Sequence, residues 1–182
     1  IALASRMLWA KGVGEFVDAA TIINRCEKNA HFVLIGQPDL ENPGTVSAEK
    51  LNEWNEAGVI DWWGFRSDMP NVLKSISIFC LPSYYGEGVP KVLLEAMACA
   101  RPVITTDMPG CRDVVTNGVN GLLVEPRNID QLVNAMEYLI NHPDKCERMG
   151  EEGRNIVKSQ YSIELVISRI LQIHQEFLGE GL

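Results

Sequence analysis

The sequence is poor in the patterns that mark metal centres and disulfide frameworks. Its five cysteines (Cys26, Cys80, Cys99, Cys111 and Cys146) are odd in number and widely spaced. No pair has the spacing of a zinc site or a redox motif, so reduced thiols in a cytosolic environment are expected. His31, His142 and His174 are equally scattered, and without a His-x-x-x-His pair no protein metal site is expected. No apolar run reaches transmembrane length, and no stretch reads as a signal peptide. Positive charge is also scarce: 16 basic residues against 24 acidic ones give a formal charge of −8. That balance argues against a nucleic-acid module, which would carry a basic face.

What the chain does have is a core. Apolar residues make up 46% of its 182 residues, enough to bury a core, so disorder is not expected; the length fits one domain or one half of a larger two-domain protein. Short apolar runs, "IALAS" (1–5), "HFVLIG" (31–36), "VIDWWG" (59–64), "ISIFCLP" (76–82), "PVITT" (102–106) and "GLLVE" (121–125), read as strands. Between them lie helix-period segments: "EFVDAATIINRCEK", a Ser-capped "SAEKLNEWNEAG", "MPNVLKSI", "VPKVLLEAMACA" and a short "CRDVVTN". After residue 126 the strands stop, and three consecutive helices follow, the last being "SIELVISRILQIHQEFL". This alternation predicts an α/β fold: a Rossmann-like, doubly wound parallel sheet of about six strands, helices on both faces, and C-terminal helices. Residues 37–46, "QPDLENPGTV", read as a long, turn-rich and mobile connection. The apolar stripe of the last helix (Ile163, Val166, Ile167, Ile170 and Ile173) is expected to pack on this same domain, an exposed part of the stripe being the alternative.

In the common strand order 3-2-1-4-5-6, strands 1 and 4 are neighbours and the chain leaves them in opposite directions. Ligands of such sheets bind at the carboxyl ends of those strands. The loop after strand 1 carries Arg6, Lys11, Gly12 and Gly14 ahead of a helix, a combination that suits a diphosphate. It can equally be a turn flanked by solvated cations. "GVGEFV" gives two glycines of the dinucleotide fingerprint, but Val17 stands where the third would be; Asp39 could then serve as the ribose carboxylate.

The loop after strand 4, "PSYYGEGVPKVLLEAMA" (82–98), leads into a helix that is apolar nearly all round. Pro90 suits the first helical position. Lys91 and Glu95 are the polar exceptions, four residues apart on one face. A surface ion pair would explain them, at only ~0.3–0.5 kcal/mol. Lysine before glutamate is the poorer orientation, however, and a first-turn lysine opposes the helix dipole. An anion bound at the helix N-terminus reverses that second objection.

The spacing of Glu87 and Glu95 inside "EGVPKVLLEAMACARPVI" resembles the signature of family 4 retaining glycosyltransferases (glycosyl transferases group 1), enzymes of the GT-B fold. The likeness extends to "SRMLWAKGVGEFVDAA", "VIDWWGFRSDMPNVLKSISIFCLPS" and "TDMPGCRDVVTNGVNGLLVEPRNIDQLVNAM", nearly the whole chain. It implies a single nucleotide-sugar-binding domain over residues 1–182, the C-terminal half of a two-domain enzyme. The N-terminal acceptor domain would lie outside this chain, and the fragment alone is expected to be inactive.

The resemblance further implies that Arg6 and Lys11 hold the donor diphosphate, with Gly12 alongside. Glu95 would bind the ribose hydroxyls and Glu87 the donor sugar. The backbone around Gly88, Val89, Lys91, Val92 and Leu93 would approach the sugar and β-phosphate, and Phe65 and Arg66, in the turn after strand 3, would cradle the base. Pro90 offers no N–H where many relatives have glycine, so Lys91, Val92 or Leu93 must supply the donors. No cofactor and no metal is implied; the donor is a nucleotide sugar, a UDP-sugar first among the candidates. The acceptor would be a glycan or lipid-linked sugar in bacterial surface polysaccharide or glycolipid synthesis. The implied location is cytoplasmic, at the inner face of the membrane where the full-length enzyme associates peripherally. An NAD(P)-binding oxidoreductase domain and a non-catalytic nucleotide-binding module remain the alternatives.

Overall fold

A computed structural model describes residues 1–26, 30–86 and 88–179. Six strands form one parallel sheet: β1 (Ala2–Ala4), β2 (Val33–Ile35), β3 (Asp61–Trp62), β4 (Phe79–Leu81), β5 (Val103–Thr106) and β6 (Gly121–Val124). Their order is 3-2-1-4-5-6, the common doubly wound order assumed above for placing the loops. Alternate side chains enter opposite layers because strand residues point to alternate faces. Leu3, Leu34, Cys80 and Ile104 pack with α1 (Val13–Ile23), α2 (Ala48–Glu56) and α5 (Ile129–Asn141). Their neighbours Ala2, Ala4, Val33, Ile35, Phe79, Leu81 and Val103 pack with α3 (Met69–Ser75) and α4 (Lys91–Ala98). Helix α6 (Pro143–Gln160) lies against α4. Both faces of the sheet are thus covered, which accounts for the near-continuous apolar strands.

Ser47 caps α2, its hydroxyl accepting from Lys50 N, as the sequence signals. Pro90 is the N-cap of α4 rather than its first helical residue, with extended φ −67° and ψ 113°. The segment "CRDVVTN" forms turns, not a helix. Polar side chains in it and just after it take backbone groups a helix would need: Asp113 Oδ2 accepts from Gly110 N, Asn120 Oδ1 accepts from Thr116 N, and Asn120 Nδ2 donates to Val114 O.

Residues 37–46 are not a loose connection. Met7 N donates to Gln37 O, Trp9 N to Gly44 O and Val46 N to Met7 O, lacing this loop to the one after β1. Trp9 also packs edge-on against Trp54 of α2. The last helix, α7 (Ile163–Gly179), departs further from expectation. Ile163, Val166, Ile167, Ile170 and Ile173 are each at least 45% exposed, so the apolar stripe does not pack on this domain. Amphipathic periodicity shows that a face is suited to burial, not which surface buries it.

Gly12 ends a 3₁₀ turn (Trp9–Lys11) at φ +78°, and a Cβ there would fall inside the contact radius of the Pro82 carbonyl. Gly58 shares the left-handed backbone (φ +68°) but faces open space. Denaturant unfolding should therefore separate them. Gly58→Ala is expected to cost about 1 kcal/mol from backbone strain alone, and Gly12→Ala about 3 kcal/mol, with the overpacking added.

Candidate nucleotide-sugar site

Helices α1 and α4 leave neighbouring strands toward opposite faces, so the loops before them diverge from one point. Ala10 O joins them, accepting from Tyr84 N (3.1 Å) and Ser83 Oγ (3.1 Å). Behind the junction, the buried Thr105 Oγ1 donates to Leu81 O (2.7 Å), and the buried Thr106 Oγ1 donates to Ser83 O. Ser83, Thr105 and Thr106 were not singled out by sequence reasoning. Their signal is the hydroxyl residue at the end of each of two adjacent strands.

A cavity of about 350 Å³ opens at the carboxyl ends of β1, β2 and β3. Ser5, Arg6, Gly36, Gln37, Phe65 and Val92 are among its lining residues, and Arg66 and Met69 complete the side toward α3. Its volume falls in the usual range for small-ligand sites. Two bonds fix the wall between β2 and β3: Gly36 N donates to Gly64 O (2.7 Å) and Trp62 Nε1 donates to Gly36 O (2.8 Å).

Of the predicted site residues, Arg6, Phe65, Arg66 and Val92 line this cavity. Phe65 is 69% exposed, an aromatic face kept out of the core. Lys11, Gly12, Gly88, Val89, Lys91, Leu93 and Glu95 do not line it. Lys11 and Gly12 sit at the loop junction just described. Gly88, Val89 and Lys91 are exposed on the approach to α4. The Leu93 side chain is fully buried in the core, and its N–H bonds to Pro90 O (3.0 Å). Lys91 N and Val92 N have no acceptor among the described residues. They belong to the first turn of α4, where unpaired N–H groups favour an anion. Glu87 lies outside the described residues.

Each cation on the rim that the structure pairs has a carboxylate partner. Arg6 Nη1 lies 2.7 Å from Asp39 Oδ2, Arg66 forks onto Asp68 with two 2.8 Å bonds, and Lys91 Nζ lies 3.4 Å from Glu95 Oε1. Hydrogen bonds from Arg66 hold the Asp68 carboxyl below the usual carboxylate range, and Asp68 raises the Arg66 pKa in return. The Asp39 carboxylate is thus occupied by Arg6, which disfavours its use as the ribose ligand of a dinucleotide. On the other side of the junction, the Arg127 guanidinium stacks 4.1 Å above the Tyr84 ring from a left-handed backbone (φ +61°). Sequence reasoning also missed this contact; a charged residue just after β6 carries no distinctive spacing. Among the described residues no group of three acidic, histidine or cysteine side chains could hold a metal ion, and no helix is long and apolar enough to cross a membrane.

The family model for glycosyl transferases group 1 matches residues 1–156. The chain belongs to the glycosyl transferases group 1 family. Among curated relatives it is 33% identical, over 98% of its length, to N,N'-diacetylbacillosaminyl-diphospho-undecaprenol alpha-1,3-N-acetylgalactosaminyltransferase of Campylobacter jejuni, covering 45% of that protein. It is 28% identical over its full length to the capsular polysaccharide biosynthesis glycosyltransferase CapM of Staphylococcus aureus, covering 47% of it. The chain therefore spans about half the length of these curated relatives. HepE of Anabaena, solved in complex with UDP, superimposes with a TM-score of 0.86 at 21% identity, over 96% of this chain and 48% of HepE. That likeness concerns the fold, the GT-B type of Rossmann-like domain.

The two kinds of polar contact should respond differently to truncation. Thr106→Val leaves a buried carbonyl without its donor and is expected to cost about 1–2 kcal/mol in denaturant unfolding. Lys91→Ala removes an exposed pair and should change stability by less than about 0.5 kcal/mol.

Proposed function

We propose that this domain binds a nucleotide-diphosphate sugar, a UDP-sugar first among them, as the donor half of a retaining hexosyltransferase. The supporting observation is the cavity at the carboxyl ends of β1–β3, where two arginines, an exposed aromatic ring and the start of α4 converge. Phe65 and Arg66 would take the base, and Arg6 and Lys11 the diphosphate. Glu95 would exchange its contact with Lys91 for the ribose hydroxyls. Glu87 would take the sugar, with the backbone of Gly88–Leu93 beside it.

Charge develops on the departing diphosphate as the glycosidic bond breaks. Arg6, Lys11 and the first-turn N–H groups of α4 would stabilise that charge without a metal ion. The attacking hydroxyl would enter on the face the diphosphate leaves, giving its proton to a phosphate oxygen; the configuration at the anomeric carbon is then retained. The names of the Campylobacter and Staphylococcus relatives favour an acceptor in polysaccharide or lipid-linked oligosaccharide assembly. The acceptor would be bound largely by a second domain, so this chain alone is expected to bind donor but not transfer sugar. Cytoplasmic placement at the membrane surface belongs to the same proposal.

Thermal melts and isothermal titration with UDP and UDP-sugars provide the test. UDP should raise the melting temperature, and Glu95→Ala should remove most of that shift while leaving the ligand-free melt unchanged. Absence of binding by uridine, guanosine and adenosine diphosphates would sink the proposal. Quenching of tryptophan fluorescence by NADH but not by sugar nucleotides would favour the oxidoreductase alternative.

A further inference from the structure

Arg6 reaches the rim of the cavity with its side chain 63% exposed, a position in which an unrestrained arginine would sample many rotamers. Asp39 restrains it. The contact is single: Asp39 Oδ2 takes Nη1 at 2.7 Å, and among the described residues Nε and Nη2 have no partner. Arg66, by contrast, commits Nε and Nη2 together to Asp68, closing its planar fork. Arg6 is therefore aimed but still open, with donors left for the bidentate recognition that suits a phosphate.

Asp39 is itself held in place. Its Oδ1 accepts from Glu41 N (3.3 Å) and its backbone N donates to Thr45 Oγ1 (2.9 Å). Thr45 Oγ1 in turn donates to Met7 O (3.2 Å), the residue after Arg6, and Leu8 and Thr45 form an antiparallel bridge. Asn42 closes the tip: Asn42 N donates to Asp39 O, and its Oδ1 accepts from Gly44 N. Asp39 is not among the residues lining the cavity, and its side chain is only 22% exposed. A carboxylate fixed this firmly, outside the cavity and gripping one nitrogen of a rim arginine, has the geometry of an orienting group.

We propose that Asp39 is a positioning residue. Through one charged hydrogen bond it sets the Arg6 guanidinium to receive a ligand diphosphate, without touching the ligand. The proposal rests on the donor-binding function above. It also has a sign that simple charge counting does not share. Removing a carboxylate near an anionic ligand should strengthen binding by Coulomb's law, whereas loss of orientation weakens it.

The test is titration of the chain with UDP and with uridine, for the wild type, Asp39→Asn, Arg6→Ala and the double variant. Asp39→Asn is expected to weaken UDP about fivefold and to leave uridine unchanged. In the Arg6→Ala background the same substitution should have no further effect, because Asp39 acts only through Arg6. Thr45→Val, which keeps both charges, gives a second measurement should Asp39→Asn disturb the fold. It should weaken UDP by about twofold and spare uridine. Unchanged or tighter UDP binding by the folded variants, an equal loss for uridine, or a loss that persists without Arg6 would overturn the proposal. Failure of the wild type to bind any nucleoside diphosphate would instead remove the function on which it rests.

Discussion

The carbonyl of Ala10 holds together the loops at the carboxyl ends of β1 and β4. β1 and β4 lie side by side, yet their helices pack on opposite faces, so the two connecting loops are driven apart at their roots. One oxygen, accepting from Tyr84 N and Ser83 Oγ, counters that divergence. Gly12 permits it by letting the backbone settle against Pro82. From behind, Thr105 and Thr106 tie the exit of β4 to β5. The direction in which α4 presents its first turn follows from these few contacts.

Topology was legible because it depends on alternation. Short apolar runs and helix-period segments in sequence leave few arrangements for a parallel sheet, and right-handed crossovers leave fewer. The strand order placed the loops that carry Arg6 and Val92 at one crevice, whereas Phe65 and Arg66 came from the family resemblance alone. What remained hidden lay in contacts that periodicity does not encode. "QPDLENPGTV" has the composition of a loose loop, but its backbone groups find partners in the segment after β1, far away in sequence. "CRDVVTN" has a helical look, but Asp113 and Asn120 outcompete the helix for its N–H and C=O groups. The stripe on α7 was legible as a stripe and misleading as a contact.

The electrostatic arrangement reflects a conflict of scale. With a formal charge of −8 the chain as a whole repels anions. Over a Debye length of about 10 Å that repulsion is screened, and local charges decide what can bind. Around the cavity the paired cations each lean on a nearby carboxylate, so the unliganded site carries no large uncompensated field. An entering anion would meet cations already oriented, and would exchange partners with them rather than order them afresh.

All four tryptophans, Trp9, Trp54, Trp62 and Trp63, lie within the first 63 residues. They cluster around β3, α2 and the loop after β1, and the indole N–H of Trp62 is bonded to the cavity wall at Gly36. Helices α5, α6 and α7 contain none. The protein consequently carries its indole probes in about the first third of the chain only. Indole emission follows the wall of the cavity and the laced loops, while fraying of the C-terminal helices passes unseen by it. Backbone circular dichroism weighs the whole chain, so the two signals together resolve motions that either one alone would merge.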